Sequence, residues 1–340
     1  MVYHRLMKRA LVIQMLFFIA GIICGIGGYF FWQTIQAGNS ETPVQVKEFP
    51  LLKYSYESLK SRTDYQSKIE FSNFVATESA FVSRKFVFLS DGKKVSGLAH
   101  IPNKCSEIQK CPIIVQIRGY ADPLNYVAGY GTWRSAQEYA KAGFISLAPD
   151  FLGYGGSDLP SENVFEARFQ TYTTVLNLFA AISSIPGADT DRIGVWGHSN
   201  GGQIALSFLE ISGKSYPTTL WAPVTIYFPY SILFYTNDSE DHGKALRKNL
   251  SDFETDYDIE KFNLSNYFYL VNAPLLIHQG TADKSIPTEW TNETVRLLRN
   301  LGKDITYKTY SGADHNLVPY WNEVVSTDIK FFQENMGLTE

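Results

Sequence analysis

From Phe86 onward the chain alternates short β-rich segments with longer amphipathic stretches, a rhythm that few folds accommodate. Pro112–Ile117, Phe144–Leu147, Ile193–Trp196, Thr218–Trp221, Pro274–His278 and Ile305–Tyr310 read as strands of four to six residues. Most are continuous apolar runs, the pattern required by a sheet buried on both faces. Between them, Trp133–Ala142, Glu166–Ile185, Gly201–Ile211, Thr288–Leu301 and Glu323–Asn335 carry helical spacing. Pro186-Gly187 stops the second of these. The alternation predicts an α/β class with a mostly parallel central sheet and helices on both faces. Ahead of it, Phe86–Leu89 and Val95–Ile101 flank Ser90-Asp91-Gly92, a hairpin signal. The chain has no repeat at a period of about 20–50 residues, which excludes a propeller or solenoid.

Two stretches break the rhythm. Residues 33–80 mix aromatic and charged residues without clear periodicity and read as a stalk followed by helical or irregular covering structure, ahead of a domain spanning 81–340. Residues 226–267 read as a lid-like insertion over the sheet's C-terminal edge. Its first half is aromatic (Tyr227, Phe228, Tyr230, Phe234, Tyr235) and its second acidic (Asp252, Glu254, Asp256, Asp258, Glu260). The acidic half reads first as a solvated face and second as an attractor for a substrate amine.

The N-terminus adds a different constraint. Ala10–Trp32 is a run of 23 residues in which Gln14 is the one strongly polar side chain. As a helix rising about 1.5 Å per residue it is long enough for a hydrocarbon core of about 30 Å. Arg5, Lys8 and Arg9 precede it and the next cation is Lys47, so the positive-inside rule puts residues 1–9 in the cytoplasm and the domain outside. The expectation is a single-pass membrane protein with an extracytoplasmic domain and the lipid bilayer as one partner. A cleaved signal peptide is the rival reading, although its apolar region is usually about 7–15 residues.

The net charge is −4, and the chain after residue 40 carries all of the acids, so no basic patch points to nucleic acid. Three cysteines are too few for a disulfide scaffold or a four-thiolate zinc site, and no metal or cofactor is expected. Cys24 lies in the apolar run. Cys105 and Cys111 bracket a five-residue turn, and outside the cytoplasm they are expected to form a disulfide.

The chemistry centres on Gly197-His198-Ser199-Asn200-Gly201-Gly202, between strand Ile193–Trp196 and a helical run. This is G-x-S-x-G in strand–turn–helix context, where Gly197 and Gly201 leave room for a sharp elbow that lifts the Ser199 hydroxyl above the sheet. The turn also aims the Asn200 N–H at the position where an oxyanion forms. A nucleophilic serine needs a base and an orienting acid. His315 is the candidate base. His4 lies before the apolar run, His100 and His278 lie in strands, His242 sits in the acidic insertion, and His198 points away across the elbow. Asp283, in the loop after Pro274–His278, is the candidate acid, with Asp314 as a rival. Ser199, Asp283 and His315 each follow a separate strand, and in a parallel sheet such loops converge on one edge. A second oxyanion donor is expected at the Tyr120 N–H, in the loop Arg118-Gly119-Tyr120 after Pro112–Ile117.

The passages GHSNGG around Ser199, APLLIHQGTADKSIP around Asp283 and KDITYKTYSGADHNL ending near His315 together resemble the α/β-hydrolase catalytic domain of the prolyl oligopeptidase (S9) family, over residues of about 86–336. The resemblance implies the α/β-hydrolase fold and a Ser-His-Asp mechanism through an acyl-enzyme. The chain departs from the family in reading Arg118-Gly119-Tyr120 where many members carry His-Gly-Gly-Pro. Residues 38–85 are also too short for the large N-terminal propeller that many members use to recognise a peptide amino terminus, so that specificity is not expected to carry over. The expected activity is therefore hydrolysis of short peptides, with small acyl esters as the alternative. A non-catalytic binding domain on the same fold is a second alternative.

Overall fold

The computed structural model describes residues 15, 18, 20–35, 47–236 and 239–338. The chain divides into two units, residues 1–48 and 49–340. In the first, residues 20–35 are helical and expose Ile22, Ile26, Phe30 and Trp32. Among the described residues no helix is long and apolar enough to cross a membrane. Residues 1–14, 16, 17 and 19, which include the expected cytoplasmic segment and part of the expected 10–32 span, lie outside the described residues.

The second unit is built on a nine-stranded sheet in the order β1-β2-β3-β5-β4-β6-β7-β8-β9. The strands are β1 Glu70–Thr77, β2 Phe81–Ser90, β3 Lys93–Pro102, β4 Cys111–Ile117, β5 Ile145–Pro149, β6 Ala188–His198, β7 Thr218–Trp221, β8 Leu275–Gly280 and β9 Ile305–Tyr310. From β1 to β5 neighbours pair antiparallel, and from β5 across β4 to β9 they pair parallel. This is the mostly parallel α/β-hydrolase-like sheet. All residues of β5, β7 and β8 are buried, as continuous apolar runs between two helical layers must be. The order reverses at β4, which lies between β5 and β6. Loops leaving β4 and β6 therefore meet at the crevice where ligands bind in open α/β sheets.

Within the stretch read as stalk and covering structure, residues 49–80 are covering structure that belongs to the compact unit. Pro50–Tyr54 forms a 3₁₀ turn, Tyr56–Ser61 a short helix capped by the Ser55 side chain, and β1 adds an edge strand. Tyr56 is 2% exposed, stacks on Tyr267 at 4.5 Å and pairs its hydroxyl with Ser207 Oγ at 2.6 Å. Burying two large rings this way stabilises the segment against the sheet's helical cover, so the compact unit begins at 49 rather than 81.

Cys105 and Cys111 form a disulfide with Cα atoms 5.6 Å apart, closing the turn between β3 and β4. The insertion between β7 and β8 folds as helices Tyr230–Thr236 and Lys244–Asp256 followed by two 3₁₀ segments. Three of its acids are engaged locally. Asp252 pairs with Lys248, Asp258 caps its own 3₁₀ turn, and Glu260 accepts from Asn263 and Asn266. Phe228, in the aromatic half of the insertion, is 1% exposed and packs on Phe165 and Phe169.

Candidate active site

Strand β6 ends in the elbow. Ser199 has φ 57° and ψ −124°, a conformation that costs a non-glycine residue of order 1–3 kcal/mol. Its backbone holds the strain because its N–H donates to Trp221 O at 3.0 Å and its carbonyl accepts from Val224 N–H at 2.9 Å. Helix Asn200–Ser212 starts immediately after. A Cβ on Gly201 would collide with the Ile117 carbonyl, so only glycine lets the new helix pass this close to β4. Gly197 is similarly tight against the Gly201 and Gly202 backbone.

The Asn200 N–H is the first of its helix, and the first four such groups have no intrahelical acceptor. The loop after β4 runs against Ser199: a Cβ on Gly119 would sit 2.9 Å from Ser199 Cβ. Gly119, Tyr120, Ser199 and Asn200 line one cavity, so the two residues expected to supply oxyanion donors border the same space as the serine. That loop is clamped by Arg118, which donates to Gly119 O and Asp150 O, each at 2.8 Å. The Arg118 guanidinium lies 4.0 Å from the Tyr154 ring centre and 4.7 Å from that of Tyr126. The sequence reading missed this clamp; its signal was a cation placed directly at the end of a buried strand.

Across the cavity, His315 Nδ1–H donates to Asp283 Oδ2 at 2.9 Å. Asp283 Oδ1 accepts from Ser285 and Ile286 N–H groups at 2.8 and 3.0 Å. Burial raises the Asp283 carboxyl, and the hydrogen bonds from His315 and these amides outweigh it, so the group is held below its ordinary value. Asp314 does not orient His315. Its Oδ1 accepts from Asn316 and Val318 N–H and shapes the loop.

The remaining described histidines are placed otherwise. His198 Nε2–H donates to the His315 carbonyl at 3.0 Å, and the two rings lie 4.7 Å apart. Burial, then the neighbouring His315, pushes the His198 imidazole down to about 4, so it is neutral at pH 7. His278 is locked between Tyr310 OH and Asp328, whose carboxylate also takes Tyr139 OH and Trp221 Nε1–H. His100 is buried between Phe81 and Trp133.

Ser199 and His315 share a cavity of about 980 Å³. Its walls come from the β4 loop, the start of helix Val164–Ala181 and the insertion, through Ser231, Ile232, Tyr235, Thr236 and Leu246. A volume of this size takes a small molecule or a few residues of peptide, not a folded chain. A serine on a strained elbow that shares a cavity with Asn200, Tyr120 and an Asp283-bonded imidazole is the set of groups that acyl transfer requires.

The model of the prolyl oligopeptidase family, Peptidase_S9, matches residues 132–339. Among solved structures, acetyl xylan esterase 1 from Thermoanaerobacterium sp. is 17% identical, covering 84% of this chain and 93% of that one, with TM-score 0.61. A puromycin-hydrolyzing peptidase from Mycobacterium tuberculosis is 17% identical over 77% of this chain and 40% of its own, with TM-score 0.58. The acylaminoacyl peptidase of Pyrococcus horikoshii is 19% identical over 77% and 42%, with TM-score 0.55. Identities this low speak to the fold alone. The sequence has no match among curated proteins.

Proposed function

Because the chain belongs to the prolyl oligopeptidase family and is a serine hydrolase, we propose that it hydrolyses short peptides by the following steps. Ser199 Oγ attacks the substrate carbonyl carbon while its proton passes to His315 Nε2. The Asn200 and Tyr120 N–H groups bind the oxyanion of the tetrahedral intermediate. Asp283 holds the imidazole tautomer and stabilises the imidazolium. His315 then protonates the departing amine, leaving an acyl-enzyme on Ser199. Water adds to the acyl carbon with His315 as base, and the acid leaves as Ser199 regains its proton.

The observation that carries this reading is the 2.9 Å hydrogen bond between His315 and Asp283, with His315 lining the same cavity as Ser199. A second reading is hydrolysis of small acyl esters by the same steps, with an alcohol leaving. It is favoured by the match to acetyl xylan esterase along 93% of that enzyme's length, against about two fifths for the peptidases. Profiling the protein on short-peptide and p-nitrophenyl ester libraries tests both readings. Peptide turnover supports the first, ester turnover without peptide turnover the second, and efficient digestion of a folded protein contradicts the cavity argument.

The proposal includes a membrane anchor at residues 10–32, with the catalytic unit outside the cytoplasm. It is supported by the apolar run, by the Lys/Arg asymmetry around it and by a disulfide suited to an oxidising compartment. Carbonate extraction of membranes tests it: retention in the pellet supports an anchor, and release of intact full-length chain contradicts it.

A further inference from the structure

We propose that Arg168 is an anion-recognition residue inside the cavity, and that the natural substrate carries a carboxylate on the part bound there. The inference rests on Ser199 and His315 as the reacting pair and adds the charge of what they cleave.

The cavity that holds Ser199 and His315 is lined by two arginines, Arg118 and Arg168, and by no Asp or Glu among the described residues. In a chain of net charge −4 this is a cationic chamber inside an acidic protein. The two arginines are not equivalent. Arg118 is 6% exposed and is spent on two backbone carbonyls and on aromatic faces. Arg168 lies near the start of helix Val164–Ala181, beside Val164 and Phe165, which line the same wall. Its Nη2 donates to Gln203 Oε1 at 2.6 Å and to Ser231 Oγ at 3.2 Å, both neutral groups. No carboxylate pairs with it among the described residues.

A half-buried guanidinium with neutral partners keeps its charge uncompensated, and removing such a charge from water is costly until an anion arrives. The group is also held in place. Gln203 sits on the helix that starts beside Ser199, so the cation is fixed relative to the nucleophile rather than swinging on a free side chain. Guanidinium nitrogens match carboxylate oxygens in charge and geometry. One uncompensated cation balances one carboxylate, whereas a doubly charged phosphate would leave a second charge unmatched. Among the described residues no acid of the insertion lines this cavity, and Asp252, Asp258 and Glu260 make their contacts elsewhere.

The test uses the full chain and p-nitrophenyl half-esters of glutarate, adipate and pimelate, each against the neutral ester of equal length: valerate, hexanoate and heptanoate. Rates with Ser199→Ala are subtracted as the uncatalysed background. At the best length, wild type should prefer the carboxylate-bearing ester in kcat/KM by about 10–100-fold, the range of a charge-assisted hydrogen bond. Arg168→Gln should collapse that ratio toward one, and Arg168→Lys should keep part of it. A wild-type ratio of one or less at every length overturns the proposal, whatever the variants do. A high ratio that survives in Arg168→Gln overturns the assignment to this residue. Absence of turnover for the neutral esters too would instead count against the hydrolytic reading itself.

Discussion

His315 Nδ1 and Asp283 Oδ2 lie 2.9 Å apart, and the second oxygen of that carboxylate is pinned by the Ser285 and Ile286 amides. The acid is therefore fixed before it orients the base. Replacing Asp283 with Asn keeps the shape but permits the wrong imidazole tautomer, and kcat should fall by about 10²–10⁴. Asp314→Asn, which perturbs only loop hydrogen bonds, should cost far less. Steady-state kinetics of both variants decide the matter; a crippled Asp314→Asn beside a silent Asp283→Asn would reverse the roles.

Arg118 ties the oxyanion loop to the floor of the site through Gly119 O and Asp150 O. A lysine has one nitrogen and no planar face, so it cannot make both hydrogen bonds while stacking on Tyr126 and Tyr154. Arg118→Lys should lower kcat by about 10-fold or more, part of the cost of losing an oxyanion donor. KM should change less. An unchanged kcat would show that the loop holds its position unaided.

His100 predicts an acid-sensitive fold. Burial pushes its imidazole down to about 4, and neither ring nitrogen has a partner among the described residues. Unfolded, it titrates at about 6.5. Between those values the unfolded chain binds the extra proton, so stability is full above about pH 6.5 and falls as the pH drops toward 4. The contribution approaches about 3 kcal/mol. Denaturant titrations at pH 7 and 4.5 should show a smaller loss in His100→Leu than in wild type. Equal losses would contradict the assignment.

The Cys105–Cys111 bridge leaves Cys24 as the free thiol. Thiol titration of unfolded, unreduced full chain should find one reactive group, and three after reduction. Cys105→Ser/Cys111→Ser should lose about 2 kcal/mol, the chain-entropy value for so short a loop.

The strands from β4 to β8 were legible because a doubly covered sheet writes itself as apolar runs, and β7 and the edge strand β9 match their expected limits. β1 was not, since Glu70, Ser72 and Asn73 interrupt it, its register with β2 shifts twice, and Phe74 is 66% exposed. Tyr56 and Leu59 were missed because a six-residue helix is shorter than any reliable periodicity window. The elbow, the acid loop and the histidine loop could be ordered from sequence because each follows a strand. Arg168 could not be assigned to the site. Its neighbours Phe165 and Phe169 mark one buried stripe, and nothing local shows that this stripe ends at a cavity.

The central claim is that Ser199 is the nucleophile, and a fluorophosphonate probe tests it directly. Folded full chain should take up one probe molecule, with mass spectrometry placing it on Ser199, and Ser199→Ala should take up none. Labelling on another serine, or no labelling of folded wild-type protein, would contradict the account.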